Sequence, residues 1–244
     1  MACPGRQVTA SQAPVRWRLG AVREVIGETP HAKTIVLEVP DWPGHIAGQH
    51  VDIRLTAEDG YQTERTYSIG SPPERLTVEL TVERIDNGEV SPYLTEELRA
   101  GDELELWGPI GGYFNWRNED GGPLLLIAGG SGLVPLMAML RHRAASASTV
   151  DARLLLSARS LEDVLYREEL GELAAGDGLT AHYTLTNRPG LGGICPADRC
   201  GDVDDGRTGS GARAADLRVR TERVRRAGCR PPPGAGSRAD RDPH

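Results

Sequence analysis

The chain has little lysine, few aromatic residues and no long apolar segment. Lys33 is the single lysine among 244 residues, aromatic residues make up 5% and the formal net charge is −7. This excess of negative charge disfavours general binding to nucleic acid or to an anionic membrane surface. No apolar run approaches the roughly 20 residues of a membrane-spanning helix, and residues 1–14 lack the hydrophobic stretch of a signal peptide. We therefore expect a cytoplasmic protein that binds neither nucleic acid nor membrane.

Cysteine is also scarce. The four cysteines are Cys3, Cys195, Cys200 and Cys229. Their spacings match neither a disulfide framework nor a zinc or iron–sulfur ligand set. The sequence therefore predicts no metal site.

Residues 15–117 have the pattern of a small β domain. Turn signals made of Gly, Pro, Asn and Asp separate six short segments in which apolar and polar residues alternate. These segments are 15–19, 34–39, 50–55, 65–69, 76–82 and 103–107, and a helix is predicted at 92–99. Six short strands with one helix favour a six-stranded antiparallel barrel.

The period changes after a polar linker with two glycines and a proline at 118–123. Apolar strands are predicted at 124–128, 152–158 and 180–185, and helices at 133–143 and 163–174. The order β-α-β-α-β opens a parallel, doubly wound nucleotide-binding sheet. We assign this α/β domain to residues 121–186 and expect it to be truncated, because a complete sheet of this kind needs further strands.

The first of these strands leads into a glycine turn and then a helix. The turn contains Gly129, Gly130 and Gly132, and Pro135 follows in the first helical residues. Glycines let the backbone approach an anion, and a helix N-terminus offers unpaired N–H groups and a positive dipole. The order strand, glycine turn and helix therefore predicts a pyrophosphate site.

A second candidate site is the segment Arg65, Thr66, Tyr67 and Ser68. On a strand, Arg65 and Tyr67 share one face, and Thr66 and Ser68 share the other. An arginine offers a fixed fork of donors to a phosphate, and a tyrosine offers a flat face to an aromatic ring. The alternative is an ordinary pair of surface side chains.

Two further segments are candidates for ligand contact. At residues 88–94, Gly88 and Val90 precede Ser91, which we predict to cap a helix that begins at Pro92. Such an end can hold a phosphate, although plain capping explains the pattern as well. At residues 108–114, glycines after the last barrel strand would admit a ligand closely, and the alternative is a simple glycine-rich loop.

Together these motifs resemble those of the ferredoxin–NADP reductase superfamily, particularly its compact members without a fused iron–sulfur domain. Arg-x-Tyr-Ser, Gly-x-x-Ser-x-x-Leu, Gly-Pro-x-Gly-Gly-Tyr-Phe and Gly-Gly-x-Gly-x-x-Pro occur in the family's order over about residues 15–185. The resemblance implies an FAD-binding barrel followed by an NAD(P)H-binding α/β domain. It also implies that hydride passes from NAD(P)H to FAD and that electrons leave to a ferredoxin-like or other redox partner.

The resemblance also assigns roles to residues. Arg65 would hold the FAD pyrophosphate, Tyr67 would pack on the isoalloxazine ring and Ser68 would lie near its reactive N5 atom, so that Tyr67 and Ser68 are the expected catalytic residues. The remaining expected cofactor-binding residues are Thr66, Gly88, Val90 and Ser91 for FAD, and Gly129, Gly130, Gly132 and Pro135 for the nicotinamide nucleotide.

The nucleotide preference rests on the end of the second α/β strand, where a ribose or its 2′-phosphate is recognised. Ser157 and Arg159 lie there without an acidic residue at the strand end, which favours NADPH over NADH. Arg159 as a solvated loop residue is the alternative. Tyr166, on the following helix, would either stack on the adenine or face the core.

Residues 187–244 contain no aromatic residue and no methionine, a composition that favours disorder. Shifted forward by one nucleotide, codons for residues 215–226 can encode Pro-Thr-Tyr-Val-Cys-Gly-Pro-Asn-Gly-Phe-Val-Glu. That peptide contains the Cys-Gly-Pro segment that the family places near the nicotinamide and that this chain lacks. We therefore hypothesise a frameshift close to residues 186–190. Two alternative functions follow: a remnant that binds FAD without turnover, or an electron-transfer subunit of a larger complex.

Overall fold

The structure is a computed structural model that describes residues 15–176 and 178–186, together with the backbone of 194–196. Apart from that short segment, the predicted tail at 187–244 and the frameshift hypothesis lie outside the described residues. No helix among the described residues is long and apolar enough to cross a membrane.

The N-terminal part is a six-stranded antiparallel sheet, as predicted. Its strand order is β4-β3-β6-β1-β2-β5. A bridge between Ile69 and Leu80 brings the two end strands together, so the sheet curves into a barrel. The strands are β1 (Arg16–Thr29), β2 (Ala32–Glu38), β3 (His50–Thr56), β4 (Gln62–Ser68), β5 (Val78–Glu83) and β6 (Glu103–Ile110).

Strand β1 is much longer than the predicted segment 15–19 because it serves two partners. Its first half pairs with β6, from Arg16 to Ala21, and its second half pairs with β2, from Ala21 to Thr29. Two register shifts occur in the second half, after Val22 and after Gly27. Bulges of this kind bend a strand, which lets β1 pass from one partner to the other.

The helix predicted at 92–99 begins and ends two residues earlier in the structure. Helix α1 spans Val90–Pro92 and continues into a π-helical turn at Tyr93–Glu97. The Thr95 hydroxyl donates to the Ser91 carbonyl oxygen at 2.8 Å. The helix packs Leu94 and Leu98 into the barrel core, where both are buried.

The C-terminal part is the predicted α/β unit. It contains β7 (Leu124–Gly129), a 3₁₀ turn (Gly130–Gly132), α2 (Leu133–Ala145), β8 (Ala152–Ala158), α3 (Arg167–Ala175) and β9 (Leu179–Leu185), and β7, β8 and β9 are parallel neighbours. A short strand that the sequence did not predict, β10 (Ile194–Pro196), pairs antiparallel with β9. Helix α3 begins later than predicted because Tyr166 adopts a left-handed conformation with φ of 53°.

Both α2 and α3 pack on one face of this parallel sheet. Leu126, Leu154 and Leu156 point toward the helices and are at most 6% exposed. Successive side chains of a strand point to opposite faces, and on the other face Leu125 and Ile127 are 71% and 64% exposed.

Several polar contacts join the barrel to the α/β unit, and two of them involve side chains of β5. The Tyr166 hydroxyl bonds to the Thr81 hydroxyl, which also bonds to Thr34 at 2.6 Å. The Arg141 guanidinium donates to Glu79 at 3.0 Å and to Glu169 at 2.5 Å. Although burial opposes its charge, the carboxylates of Glu169 and Glu79 raise the pKa of Arg141. These charge-assisted bonds tie α2 to α3 and to Glu79 near the start of β5.

Candidate functional site

A cavity of about 520 Å³ lies where the end of β4, the end of β5, helix α1 and the start of α2 meet. Three sequence motifs far apart in the chain contribute to it. The lining residues are Arg65, Thr66, Tyr67, Ser68, Thr81, Glu83, Arg84, Ile85, Gly88, Glu89, Val90, Ser91, Ser131 and Val134. The structure thus brings together all of the residues that the sequence assigned to FAD.

Strand β4 places Arg65 at the open side of this cavity. Its side chain is exposed, and its guanidinium donates to the Glu64 carbonyl oxygen at 2.7 Å and to the Thr63 hydroxyl at 3.4 Å. No carboxylate of the described residues pairs with it. A guanidinium has five N–H donors, so Arg65 keeps donors for an anion in the cavity.

Thr66 points away from Arg65, as the strand alternation predicts. Its hydroxyl donates to Asp52 Oδ1 at 2.5 Å across the β3–β4 ladder. That hydrogen is therefore used inside the sheet, and Thr66 contributes to the cavity with its remaining atoms.

Tyr67 is half-buried and packs against the barrel core. Burial raises the pKa of Tyr67 to about 12, although the nearby charge of Arg65 works in the opposite direction. The phenol is therefore uncharged at neutral pH and offers a neutral ring face. Ser68 follows it at the end of β4 and is also half-buried.

The segment around Ser91 corrects one detail of the sequence prediction. Ser91 lies inside helix α1, and the N-cap residue is Glu89, whose side chain makes no capping bond. The Ser91 hydroxyl instead accepts the backbone N–H of Ile85 at 3.0 Å. The helix begins two residues earlier than predicted, and this bond ties its first turn to Ile85, just after the end of β5. The hydroxyl hydrogen of Ser91 is still available to a phosphate.

The glycine turn lies where the sequence placed it, after β7 and before α2. Gly129 is the last residue of β7 and lies beside Ser157 of β8. Gly130 has φ of +51°, a backbone conformation that suits glycine. A Cβ added to Gly132 would meet no heavy atom within 4 Å, so the turn leaves open space at its surface. An anion has room to approach the backbone here.

None of the residues predicted for the nicotinamide site lines this cavity. Two of their neighbours, Ser131 and Val134, do so, whereas the lining does not include Gly129, Gly130, Gly132, Pro135, Ser157 or Arg159. Pro135 is buried within α2. The Arg159 side chain is 61% exposed, and its guanidinium lies 3.4 Å from the Asp163 carboxylate. An acidic side chain four residues later is therefore also present at this strand end.

The sequence left two roles open for Tyr166, stacking on the adenine or facing the core, and the structure shows that it faces the core. It is 5% exposed and bonds to Thr81 through its hydroxyl. Burial raises its pKa, and the Arg141 guanidinium lies 4.8 Å from the centre of its ring. Tyr166 therefore joins the two halves of the molecule and is not free to stack on an adenine.

The glycine loop at 108–114 also serves packing. A Cβ on Gly108 would approach Val51 Cγ1 to 2.7 Å, so this glycine allows β6 to pass close to β3. Sequence analysis missed four lining residues at the end of β5, namely Thr81, Glu83, Arg84 and Ile85. The charged residues directly after the buried segment 78–82 could have indicated that this strand end contributes to a binding site.

Two family models match this chain in the same order as the two halves of the structure. The model described as an oxidoreductase FAD-binding domain matches residues 27–115. The model described as an oxidoreductase NAD-binding domain matches residues 126–190. Ferredoxin–NADP reductase B of Sorangium cellulosum is 33% identical over 180 residues, which are 72% of this chain and 71% of that protein.

The chain belongs to the ferredoxin–NADP reductase superfamily. A further relative is the glycine betaine monooxygenase reductase subunit of Pseudomonas aeruginosa, 34% identical over 146 residues, 59% of this chain. This chain matches 39% of that relative's length. The FAD/NAD-binding domain of nitric oxide dioxygenase from Vibrio cholerae is similar in structure, with a TM-score of 0.63 and 26% identity over 72% of this chain and 76% of that one.

These findings confirm the predicted superfamily and the predicted pair of cofactors. The barrel is an oxidoreductase FAD-binding domain, and the α/β unit is an NAD-binding domain. The residues fit both groups, because the cavity is lined by an arginine with spare donors and a neutral tyrosine face, and the glycine turn beside Ser131 leaves open space at its backbone.

Proposed function

We propose that this protein takes hydride from NAD(P)H onto bound FAD and passes electrons to a separate redox protein. The observation that carries the proposal is the single cavity that unites residues 65–68 and 88–91 with the start of α2. When bound, FAD would supply the chemistry that accepts the two electrons of a hydride and releases them one at a time. The matched ranges support a division into an FAD-binding barrel at 15–117 and an NAD(P)-binding unit at 121–186.

On the flavin side, each residue has a role suited to its chemistry. Arg65 forms charge-assisted bonds to the FAD pyrophosphate, and the Val90 N–H and the Ser91 hydroxyl add donors beside Gly88. Tyr67 stacks its uncharged ring on the isoalloxazine. Ser68 lies at the reacting edge, where its hydroxyl orients the flavin and helps to exclude water.

On the nicotinamide side, the backbone does most of the binding. Gly129, Gly130 and Gly132 let the nucleotide approach the N-terminus of α2, and Pro135 stiffens its first turn. Ser157 and Arg159 then lie at the adjacent strand end, beside the adenosine ribose. Because Arg159 carries the positive charge there, we assign NADPH as the preferred donor.

The acceptor is a separate redox protein. The relative in Pseudomonas aeruginosa is named as the reductase subunit of a monooxygenase. By analogy we assign to this chain an acceptor of the same kind, either a ferredoxin-like protein or the redox centre of an oxygenase component. Copurification with a stoichiometric partner would instead favour an electron-transfer subunit of a larger complex.

One observation favours a second candidate function, an FAD-binding protein that does not turn over. Among the described residues, β7 is an edge strand, and Leu125 and Ile127 lie exposed on the uncovered face of its sheet. Parallel sheets are normally covered on both faces. If the nicotinamide half does not hold its nucleotide, the barrel alone would still bind FAD.

Anaerobic mixing of the FAD-loaded protein with excess NADPH, and separately with NADH, distinguishes the two functions. We expect NADPH to bleach the flavin absorbance faster than NADH. The variant Arg159→Ala should lose about tenfold in its preference for NADPH, because one charge-assisted contact is worth about 1.5 kcal/mol. A bound flavin that stays oxidised with both nucleotides would refute the proposed reaction and support the second candidate.

A further inference from the structure

Glu83 stands between the two halves of the site. It is the last residue of β5, it is half-buried and it lines the cavity shared with Tyr67 and Ser68. Its Oε2 atom lies 3.4 Å from the position that a Cβ on Gly130 would occupy. A carboxylate of the barrel thus faces the glycine turn of the α/β unit.

This carboxylate has no counter-charge in the described part of the chain. No hydrogen bond or ion pair connects the Glu83 side chain to another described residue. Its neighbour Arg84 is engaged elsewhere, since it bonds to Asp86 at 3.0 Å and to Glu96. The other acid of the cavity, Glu89, accepts bonds from the Tyr61 and Thr63 hydroxyls at 3.3 and 3.4 Å.

An unpaired, half-buried carboxylate has a cost in free energy, and a pyrophosphate beside it would add repulsion between like charges. A cation beside it would be stabilised. During hydride transfer the dihydronicotinamide ring loses two electrons and one hydrogen nucleus to the flavin, which takes a second proton from water, and the ring is left as a cation. The ring is therefore the one part of the nucleotide whose charge the carboxylate complements.

We propose that Glu83 faces the nicotinamide ring and stabilises the positive charge that develops on it as the hydride leaves. The inference rests on the proposed function. It predicts that the site distinguishes the oxidised, cationic ring from a neutral ring of the same shape, and that Glu83 is the residue responsible. A fixed charge aimed at developing charge is an effective form of catalysis.

The variant Glu83→Gln keeps the shape of the side chain and removes its charge. Titration of the FAD-loaded protein, followed by flavin absorbance, gives dissociation constants for NADP⁺ and for its neutral, unreactive 1,4,5,6-tetrahydro analogue. We expect the ratio of the two constants to shift about tenfold against NADP⁺ in Glu83→Gln, which corresponds to about 1.4 kcal/mol. Affinity for the analogue should stay within about twofold, and Glu83→Asp should restore part of the ratio.

Glu103→Gln is the matched control, because Glu103 is an exposed strand-end glutamate outside the cavity. It removes the same net charge and should leave the ratio unchanged. An unchanged ratio in Glu83→Gln, equal loss of affinity for both ligands, or tighter binding of both overturns the inference alone. Failure of the wild-type protein to bind either ligand or to be bleached by NADPH overturns the proposed function and, with it, this inference.

Discussion

The barrel and the α/β unit differ in how far their described residues enclose a core. In the barrel, the bridge between Ile69 and Leu80 joins the two end strands, and residues such as Ile35, Ile53 and Leu80 are fully buried. In the α/β unit, one face of the sheet is covered by α2 and α3, and the described residues leave Leu125 and Ile127 exposed on the other.

This difference shows why the flavin side is the more self-contained half of the site. An antiparallel sheet can close on itself with short turns, so its ligand residues come from adjacent strands and one helix. A parallel sheet needs helical crossovers on both faces before the apolar side chains of both faces are buried. The FAD residues therefore meet in one cavity, while the predicted nicotinamide residues are spread along a strand edge.

The largest expected effect tests the two faces of β7. Leu126→Ala should lower the free energy of unfolding by about 2–5 kcal/mol, because it opens a cavity in a buried core. Leu125→Ala, one residue away on the open face, should change it by less than about 0.5 kcal/mol, as for other exposed positions. Urea denaturation of both variants measures the difference.

Leu80→Ala in the barrel is the reference for a fully buried position. It should lower the free energy of unfolding by as much as Leu126→Ala does. Equal destabilisation by Leu125→Ala and Leu126→Ala would contradict the comparison. It would show that a further segment covers the open face in solution.

The second prediction concerns the charge that holds FAD. Arg65→Ala should weaken FAD binding by about 2 kcal/mol, or roughly thirtyfold, because it removes charge-assisted bonds to the pyrophosphate. Arg23→Ala serves as the control, since Arg23 is an exposed barrel arginine that pairs with Glu38 at 2.6 Å. Fluorescence quenching of added FAD gives both affinities. Similar losses in the two variants would mean that Arg65 acts only through the overall charge.

Much of the fold follows from local patterns in the sequence. The six barrel strands and the β-α-β-α-β order were predictable because their side chains alternate with the periods of strand and helix. The segment 152–158 even has the bounds of β8. Strand β1 was underestimated, because its continuation past Leu19 depends on a second pairing partner that the local pattern does not show.

The site was less predictable where tertiary contacts decide the role of a side chain. Ser91 was predicted as a cap, but a bond to Ile85 placed it inside the helix. Glu83 was missed, because it meets the glycine turn only through the fold, and Gly130 lies 47 residues away in the other half of the molecule. Motifs predict which residues approach a cofactor, whereas contacts between domains have to be observed.

The smallest expected effect tests the contact between the two halves. Tyr166→Phe should lower the free energy of unfolding by about 1 kcal/mol, because it removes the hydroxyl that bonds to Thr81 and leaves the buried ring in place. Tyr183→Phe is the matched control, since Tyr183 is equally buried and its hydroxyl has no hydrogen-bond partner among the described residues. It should have little effect in the same urea titration. If Tyr166→Phe were as mild as Tyr183→Phe, the Tyr166–Thr81 bond would not stabilise the junction. The placement of the α/β unit against the barrel would then depend on its other polar contacts, among them the Arg141–Glu79 ion pair and the contact of His142 with Glu74 at 2.6 Å.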